Sequence, residues 1–369
     1  MQIRVERLRE ALMLLQPVIP KKTALPVLVN VLLKDGRAAA TDLETSIALA
    51  LPEVDGEYLL PHRSVYELLK YVPGNDFLTI EQADKKVSLS WGNGKASYDV
   101  LDVKDYPPIP EIPLTAEGAV DGDSLAKALM SVVGYCATEE TRPVLCGVTL
   151  SLGKTIEAMG ADGFRLAYQT VPSAYPVEET VIIPASAVRM LGHLWDKLPP
   201  PVPLADSLVR QVISKRQLEL GLADGRLVAR FGRVTLTTRL IEGTSPSYKK
   251  LIPQDTPLKV RILARELETA VRRLKDMAKD GSEIVRLSWT ETALTLSAKT
   301  NEKGDVQAEL PVQTEGGPGR VALNVSYLMD YLKGREGLLT IAASNQTSPI
   351  LLRHAGSPLV VVMPMNAEW

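Results

Sequence analysis

The sequence predicts an α+β protein in which a single fold is used three times along the chain. A helix, a pair of strands, a strand leading into a second helix, and a group of closing strands recur three times in that order. The 369 residues divide into stretches of about 120, which is an ordinary domain size. Apolar residues make up 45% and charged residues 23% of the chain, as in globular proteins. We therefore expect three similar domains, each with two helices packed on antiparallel sheets.

Each copy opens with an amphipathic helix, which a pair of strands follows. Apolar residues three and four positions apart form one stripe of each helix, and short polar turns join the strands of each pair into hairpins. The helices are predicted over residues 4–16, 124–137 and 264–279. The strand pairs are predicted over 25–33 and 38–44, 142–150 and 156–166, and 283–289 and 293–300.

The second half of each copy begins with a strand that ends in Pro61, Pro184 or Asn324. Proline and polar capping residues favour the start of a helix, so these residues predict helices over 64–71, 185–197 and 326–333. Alternating strands then close the copies over 77–101, 217–240 and 338–365. Proline-containing stretches at 106–110 and 245–248 separate the copies, and we place the domains at 1–115, 116–246 and 247–369.

Several functional classes are excluded by the residues that are rare. Two cysteines and three widely spaced histidines provide neither a disulfide framework nor the spacing of a zinc site, so no metal or other cofactor is expected. There is no apolar run long enough for a transmembrane helix, and the charged N-terminal segment is unlike a signal peptide, so we expect a cytoplasmic protein with no membrane partner.

No catalytic motif of a hydrolase, nucleotide-binding loop or dinucleotide-binding protein is present. Asp42 and Asp162 occupy equivalent points of the first two copies and could suggest a pair of catalytic carboxylates. Each lies at the end of a strand in its own domain, so hydrogen bonding within a turn is the favoured interpretation.

The net charge of −2 conceals an uneven distribution. Counted over 4–16, 63–71, 124–137, 185–197, 264–279 and 326–335, the six predicted helical segments each carry a net charge of +1 or +2, for a total of +7, and the rest of the chain is correspondingly acidic. Collected on one surface, these helices would contact nucleic-acid phosphates weakly and without reading bases. The alternative is that they are ordinary solvated helix faces.

Five segments together resemble the bacterial DNA polymerase III β subunits, the sliding clamp family. The resemblance spans the chain. Its motifs are Leu-Pro-Val-Leu-x-Asn-Val-Leu-Leu at 25–33, Thr-Asp-Leu-Glu at 41–44, Gly-Ala-Asp-Gly-Phe-Arg-Leu-Ala at 160–167, Asn-Val-Ser-Tyr-Leu at 324–328 and Val-Val-Val-Met-Pro-Met at 360–365.

The resemblance implies a DNA clamp fold of three similar domains, two copies of which close head to tail into a ring. Helices would line the hole, and the terminal strands of copies one and three would pair across the subunit boundary. Such a homodimer would encircle double-stranded DNA without sequence specificity and without catalysis. Its implied partners are the catalytic subunit of DNA polymerase III, the clamp loader and other proteins that carry a clamp-binding motif.

The resemblance also implies a pocket for short apolar and aromatic peptides. By motif match its residues are Leu145, Ala161, Gly163, Phe164, Arg165, Leu166, Pro246, Lys250, Leu251, Asn324, Tyr327, Val361, Val362, Met363, Pro364 and Met365. The chain departs from the family pattern at Phe164, where a more polar residue is common, so we expect a more apolar pocket floor. A second departure is the ending 366–369, Asn-Ala-Glu-Trp, in place of a basic and an aliphatic residue.

For DNA, Lys22 and Arg142 match basic positions of the family, while Lys70, Arg189 and Lys197 are candidates by helix position only. Two rival hypotheses accompany the clamp. One is a DNA-binding protein that uses the same basic helices on an open surface and forms no ring. The other is an enzyme that acts through Asp and Glu residues of no recognised motif.

Overall fold

The computed structural model describes residues 1–110, 112, 116–139, 141–198, 216–300 and 304–369. This part of the chain forms six α-helices and 25 β-strands. Their order is βαβββ repeated six times, twice in each predicted copy, with one additional strand in the fifth repeat. The α+β class and the helix count of the prediction are therefore confirmed, and each copy is itself a pair of similar halves.

The elements fall into three groups of nearly equal make-up. The first comprises β1 Gln2–Arg4, α1 Val5–Leu15, β2 Asn30–Lys34, β3 Arg37–Thr41, β4 Thr45–Ala50, β5 Tyr58–Pro61, α2 His62–Leu69, β6 Phe77–Ala83, β7 Lys86–Trp91 and β8 Gly94–Asp99. The second comprises β9 Ala116–Asp121, α3 Gly122–Val132, β10 Gly147–Leu152, β11 Ile156–Ala161, β12 Arg165–Val171, β13 Glu179–Pro184, α4 Ala185–Lys197, β14 Gln217–Ala223, β15 Arg226–Phe231 and β16 Val234–Arg239. The third comprises β17 Leu258–Leu263, α5 Ala264–Asp280, β18 Ile284–Trp289, β19 Ala293–Thr300, β20 Gly304–Pro311, β21 Gln313–Glu315, β22 Gly319–Asn324, α6 Val325–Leu332, β23 Leu338–Ala343, β24 Ile350–His354 and β25 Leu359–Val362.

Three details of the prediction are wrong. Residues Pro26–Val29 and Pro143–Leu145 form 3-10 turns, because each proline fixes φ and has no N–H to donate to a strand partner. The predicted strand over 156–166 is two strands, β11 and β12, separated by a turn that contains Gly163 at φ +95°. Helix α3 ends at Val132, and a 3-10 turn follows it.

The described residues form two compact units. The first contains Met1–Met130, Leu150–Ile156 and Val171–Glu242, and the second contains Ser131–Thr149, Glu157–Thr170 and Gly243–Trp369. The middle group of elements thus contributes to both units. The division into three domains at 115/116 and 246/247 stays a prediction, and residues 113–115 lie outside the described chain.

The first unit contains two antiparallel sheets, with strand orders β1-β6-β7-β8 and β5-β2-β3-β4-β16-β15-β14-β9. The second unit contains the orders β11-β12-β25-β24-β23-β17-β21 and β20-β19-β18-β22. In the first copy the leading strand of each half joins the sheet of the other half: β5 lies beside β2 and β1 lies beside β6. The third copy makes the same exchange with β22 and β17.

Neighbouring copies are joined through the last strands of their half-sheets. In the first unit β4 pairs with β16, and in the second unit β12 pairs with β25, antiparallel in both cases. The strands β8 and β20, which end the other two half-sheets, lie at sheet edges within the described chain. The implied pairing of the terminal strand of copy three across the subunit boundary is therefore wrong, since β25 lies between β12 and β24 of the same chain.

The cores follow the predicted stripes. Val5, Leu8, Leu12 and Leu15 of α1 are fully buried, and burial of each such side chain contributes about 1.5–3 kcal/mol. Pro61, Pro184 and Asn324 are the N-cap residues of α2, α4 and α6, which confirms their predicted place. No described helix is both long enough and apolar enough to cross a membrane.

Candidate functional site

Two distant stretches of the predicted peptide pocket are brought together by the pairing of β12 with β25. In the register, Arg165 lies opposite Val362 and Leu166 lies opposite Val361. The amide of Met363 extends the pairing by donating to the carbonyl oxygen of Phe164 at 2.9 Å. The segments 164–166 and 361–363 are therefore neighbours in the folded chain.

The turn before β12 is held by Asp162. Its Oδ1 atom accepts hydrogen bonds from the amides of Phe164 and Arg165, both at 2.9 Å. Asp42 accepts in the same way from the amides of Glu44 at 3.1 Å and Thr45 at 2.7 Å. These bonds confirm the interpretation of both aspartates as turn residues.

The side chain of Arg165 is surrounded by acceptors and aromatic rings. Nε donates to Oδ2 of Asp162 at 2.9 Å, and Nη1 donates to Oδ2 of Asp330 at 3.0 Å. The guanidinium lies 5.0 Å from the ring centre of Tyr135 and 4.5 Å from that of Tyr327. Burial alone would lower the pKa of Arg165, but the two carboxylates outweigh burial and raise it. Arg165 is thus a fixed cation between the turn and helix α6.

Asn324 positions the start of that helix. Its Oδ1 atom accepts from the amides of Ser326 at 2.9 Å and Tyr327 at 3.2 Å, and its Nδ2 donates to Glu283 at 3.0 Å. Two residues before it, the carbonyl oxygen of Ala322 accepts from the amide of Met365 at 2.8 Å. The predicted residues Asn324, Tyr327 and Met365 are therefore linked through one short stretch of backbone.

Several of the predicted residues belong to a compact apolar cluster. It contains Leu145, Met159, Ala161, Leu166, Tyr248, Ala342, Leu351 and Val361, all buried. At its edge the hydroxyl of Tyr168 donates to Glu157 at 3.0 Å, and burial together with this bond raises the pKa of Tyr168 to about 12. Leu145, Ala161, Leu166 and Val361 of the predicted set are therefore core residues.

The surface residues are apolar side chains that remain exposed. The exposed fractions are 61% for Phe164, 57% for Leu251, 47% for Met363 and 37% for Met365. Pro246, Gly163 and Lys250 are exposed as well, and Pro364 is half-buried. We call these exposed side chains the rim; a more apolar pocket floor at Phe164 stays a prediction. Val361 and Val362 are buried in the ladder.

The sequence-based prediction omitted three residues that contact the predicted ones, namely Tyr248, Tyr135 and Asp330. Tyr248 lies in the apolar cluster, and Tyr135 and Asp330 contact Arg165. A signal for Tyr248 existed, since Tyr106 occupies the matching stretch between copies one and two and is also buried. No local pattern marks Tyr135 or Asp330.

Comparison with known families assigns nearly the whole chain. The model of the N-terminal domain of the DNA polymerase III beta subunit matches residues 1–110, that of the central domain matches 119–247, and that of the C-terminal domain matches 249–366. The chain belongs to the DNA polymerase III beta subunit family. The predicted family and the three-domain clamp fold are thereby confirmed.

Individual relatives agree over their full length. A beta sliding clamp of Pseudomonas putida is 26% identical over 382 residues, covering 99% of both chains. A beta sliding clamp of Caulobacter vibrioides is 28% identical over 388 residues, covering 99% of this chain and 100% of the relative. The crystal structure of the DNA polymerase III beta subunit of Thermotoga maritima shares the fold, with a TM-score of 0.87 at 22% identity and coverage of 100% and 99%.

The five predicted DNA contacts of this beta subunit are all exposed: Lys22, Lys70, Arg142, Arg189 and Lys197. Lys70 is engaged, because its Nζ donates to Glu67 at 2.7 Å and lies 5.0 Å from the ring centre of Tyr66. Lys22 lies four residues before Pro26, whereas Arg142 lies directly before Pro143, so the two do not occupy equivalent places in the repeat.

The charge of the helices is lower than the predicted bounds suggested. As the structure bounds them, α1, α2 and α3 are neutral, α4 and α5 carry +1 each, and α6 carries −1. The predicted total of +7 depended on flanking residues such as Arg4, Lys70, Lys333 and Arg335. The positive charge is therefore concentrated at helix ends and adjoining loops. Among the described residues no group of His, Cys, Asp or Glu is arranged to hold a metal ion.

Proposed function

We propose that this protein is a sliding clamp: two copies form a ring around duplex DNA and hold a replicative polymerase on it. The observation that carries the proposal is the sixfold βαβββ repeat within three beta-subunit domains, because a repeated unit joined edge to edge is suited to closing a ring. Relatives named beta sliding clamp over their full length support the same function. A clamp needs no catalytic groups.

The joints within the chain suggest how the ring closes. Each joint pairs the fourth strand of a copy with the last strand of the next copy, as in β4 with β16 and β12 with β25. Applied once more, the rule pairs β20 of one subunit with β8 of its partner. These are the edge strands left over in the described chain. In a head-to-tail homodimer joined in this way, both β8 and β20 are paired and neither is left as an exposed edge.

Contacts with DNA in this proposal are made by exposed basic side chains that bind phosphates without reading bases. Lys22 and Arg142 are the strongest candidates because they match basic positions of the family. Arg189 and Lys197 of α4 follow, and Lys70 ranks below them since Glu67 already partners it. A ring bound topologically requires only weak electrostatic attraction, and a cytoplasmic location gives it access to the chromosome in a bacterium.

The surface around Arg165 is proposed to bind apolar and aromatic peptide motifs of the polymerase catalytic subunit, the clamp loader and other clamp-binding proteins. Exposed Phe164, Leu251, Met363 and Met365 provide anchors for leucine and phenylalanine side chains. Methionine is adaptable, which suits a surface shared by several partners. We expect a Gln-Leu-x-Leu-Phe type peptide to bind at micromolar strength.

The ring is tested by loading the protein on nicked circular DNA with a bacterial clamp loader and ATP, followed by linearisation. We expect the loaded protein to survive a high-salt wash on the circle, because topological linkage does not depend on ion pairs, and to leave once the DNA is cut. Linear DNA whose ends are blocked by bound streptavidin should retain it. Retention on open-ended linear DNA after the wash would instead support a DNA-binding protein that forms no ring.

A further inference from the structure

Residues 366–369, which we call the tail, are held against the sheet of β18 to β20 and β22. Nε of Arg286 on β18 donates to the carbonyl oxygen of Glu368 at 2.8 Å. The guanidinium of Arg320 on β22 lies 4.8 Å from the ring centre of Trp369. Arg320 is itself fixed, since its Nε donates to Gln346 at 3.1 Å.

The two arginines lie on one face of that sheet. In the register Arg286 is opposite Ala322, and Arg320 is opposite Ser288, two residues further along β18. Residues two apart on a strand share a face, so both guanidinium groups reach the tail from the same side. Asn366, Ala367 and Glu368 border a cleft of about 710 Å³. Beside this cleft, the contacts of Arg286 and Arg320 hold the tail on the sheet.

The tail follows directly on the methionine rim of the proposed peptide surface. The amide of Met363 bonds to Phe164, on the strand β12 side, and the amide of Met365 bonds to Ala322 of β22. Segment 363–365 thus crosses from one sheet of the second unit to the other. A single backbone bond at a chain end frays readily, whereas contacts beyond it at Glu368 and Trp369 resist opening.

We propose that the tail acts as a clasp: Arg286, Arg320 and Trp369 are positioning residues that hold Met363 and Met365 in place for a bound peptide. This inference rests on the proposed peptide-binding function. Methionine side chains are flexible, so a rim ordered before binding loses less conformational entropy on binding. The departure of the tail from the family pattern thereby becomes a means of ordering the rim.

The test uses the full chain and its variants Trp369→Ala and Arg320→Ala. Trp369→Phe keeps an aromatic ring over Arg320, and Arg272→Ala removes an exposed arginine of α5 that pairs with Glu268, so these two serve as matched controls. Trp369 is half-exposed, so its truncation leaves the core intact. Hydrogen exchange of the Met365 amide reports the clasp, and fluorescence anisotropy with a labelled Gln-Leu-Ser-Leu-Phe peptide reports binding.

We expect both truncations to speed exchange at Met365 and to weaken the peptide about two- to fivefold, the effect of an exposed cation–π contact. Both controls should bind the peptide within about twofold of the wild-type affinity, because both keep an aromatic ring in contact with Arg320. Unchanged exchange, or faster exchange with unchanged affinity, would overturn the clasp. Met363→Ala should weaken the peptide strongly; a wild-type chain that binds no peptide, or binds it regardless of Met363, would instead contradict the proposed peptide surface.

Discussion

The guanidinium of Arg165 contacts three separate segments of the chain: the Asp162 turn, the 3-10 turn that ends in Tyr135, and helix α6. A lysine could not replace it, because only the planar fork can bond two carboxylates and stack on two rings together. Its role at the proposed peptide surface is therefore to fix the rim that surrounds it. The motif predicted Arg165 as a site residue, but its partners Tyr135 and Asp330 come from distant segments that no local pattern connects.

His62 is the residue whose titration should be visible in stability. It is buried at the start of α2, its Nε2 lies 2.9 Å from the carbonyl oxygen of Leu12, and it stacks on Tyr66. Burial lowers the pKa of His62 below its ordinary value of 6.5, although the bond to Leu12 partly opposes burial. The unfolded chain therefore binds the proton more readily than the folded chain.

The contribution of neutral His62 to the free energy of unfolding should be complete above pH 6.5. It should fall as the pH drops below that value and level off below the folded-state pKa of His62. The slope contributed by one such group is at most about 1.4 kcal/mol per pH unit. Urea unfolding at several pH values should show a shallower dependence in His62→Gln than in the wild type. His193→Gln, which changes an exposed histidine of α4, is the control. Equal slopes in all three proteins would contradict the assignment.

At the scale of elements, the six helices were predictable because each buries one stripe of apolar residues at helical spacing. The leading strands β1, β9 and β17 were not, because β1 has only three residues and the partners of all three lie in the opposite half of the copy, where no local pattern reveals them. Proline also overrides the apolar pattern. Pro26 and Pro143 begin 3-10 turns where strands were predicted, because proline has no N–H to donate to a neighbouring strand.

The three second helices begin at equivalent residues but with different caps. Pro61 and Pro184 make no side-chain capping bond, whereas Asn324 accepts from two amides of α6 and donates to Glu283. We expect Asn324→Ala to lower the free energy of unfolding by about 1–2 kcal/mol, because the cap and the partner of Glu283 are both lost. Pro61→Ala removes no capping bond and should change it by much less. Urea unfolding of the two variants checks this, and an equal loss in both would contradict the cap.

At the scale of the whole molecule, the threefold repeat was the easiest feature to predict from the sequence, and the pairing of strands between copies was the hardest. The threefold order of elements could be counted from apolar spacing, but which strands join the copies depends on contacts between residues far apart in the chain. The terminal strand of copy three illustrates this, since β25 pairs with β12 and leaves β20 at the edge. Both edge strands, β8 and β20, alternate exposed and half-buried residues along most of their length, as edges able to accept a partner do.

Ring closure through β20 can be tested with proline at two successive positions, Gln307→Pro and Ala308→Pro. Successive N–H groups of a strand point to opposite sides, so one proline removes a donor to β19 and the other removes a donor at the open edge. We expect one variant to lose stability in thermal unfolding and the other to remain folded but become monomeric by light scattering at micromolar concentration. The wild type should have the mass of a dimer. If the variant that keeps its thermal stability also keeps the dimer mass, the subunits do not join through β20.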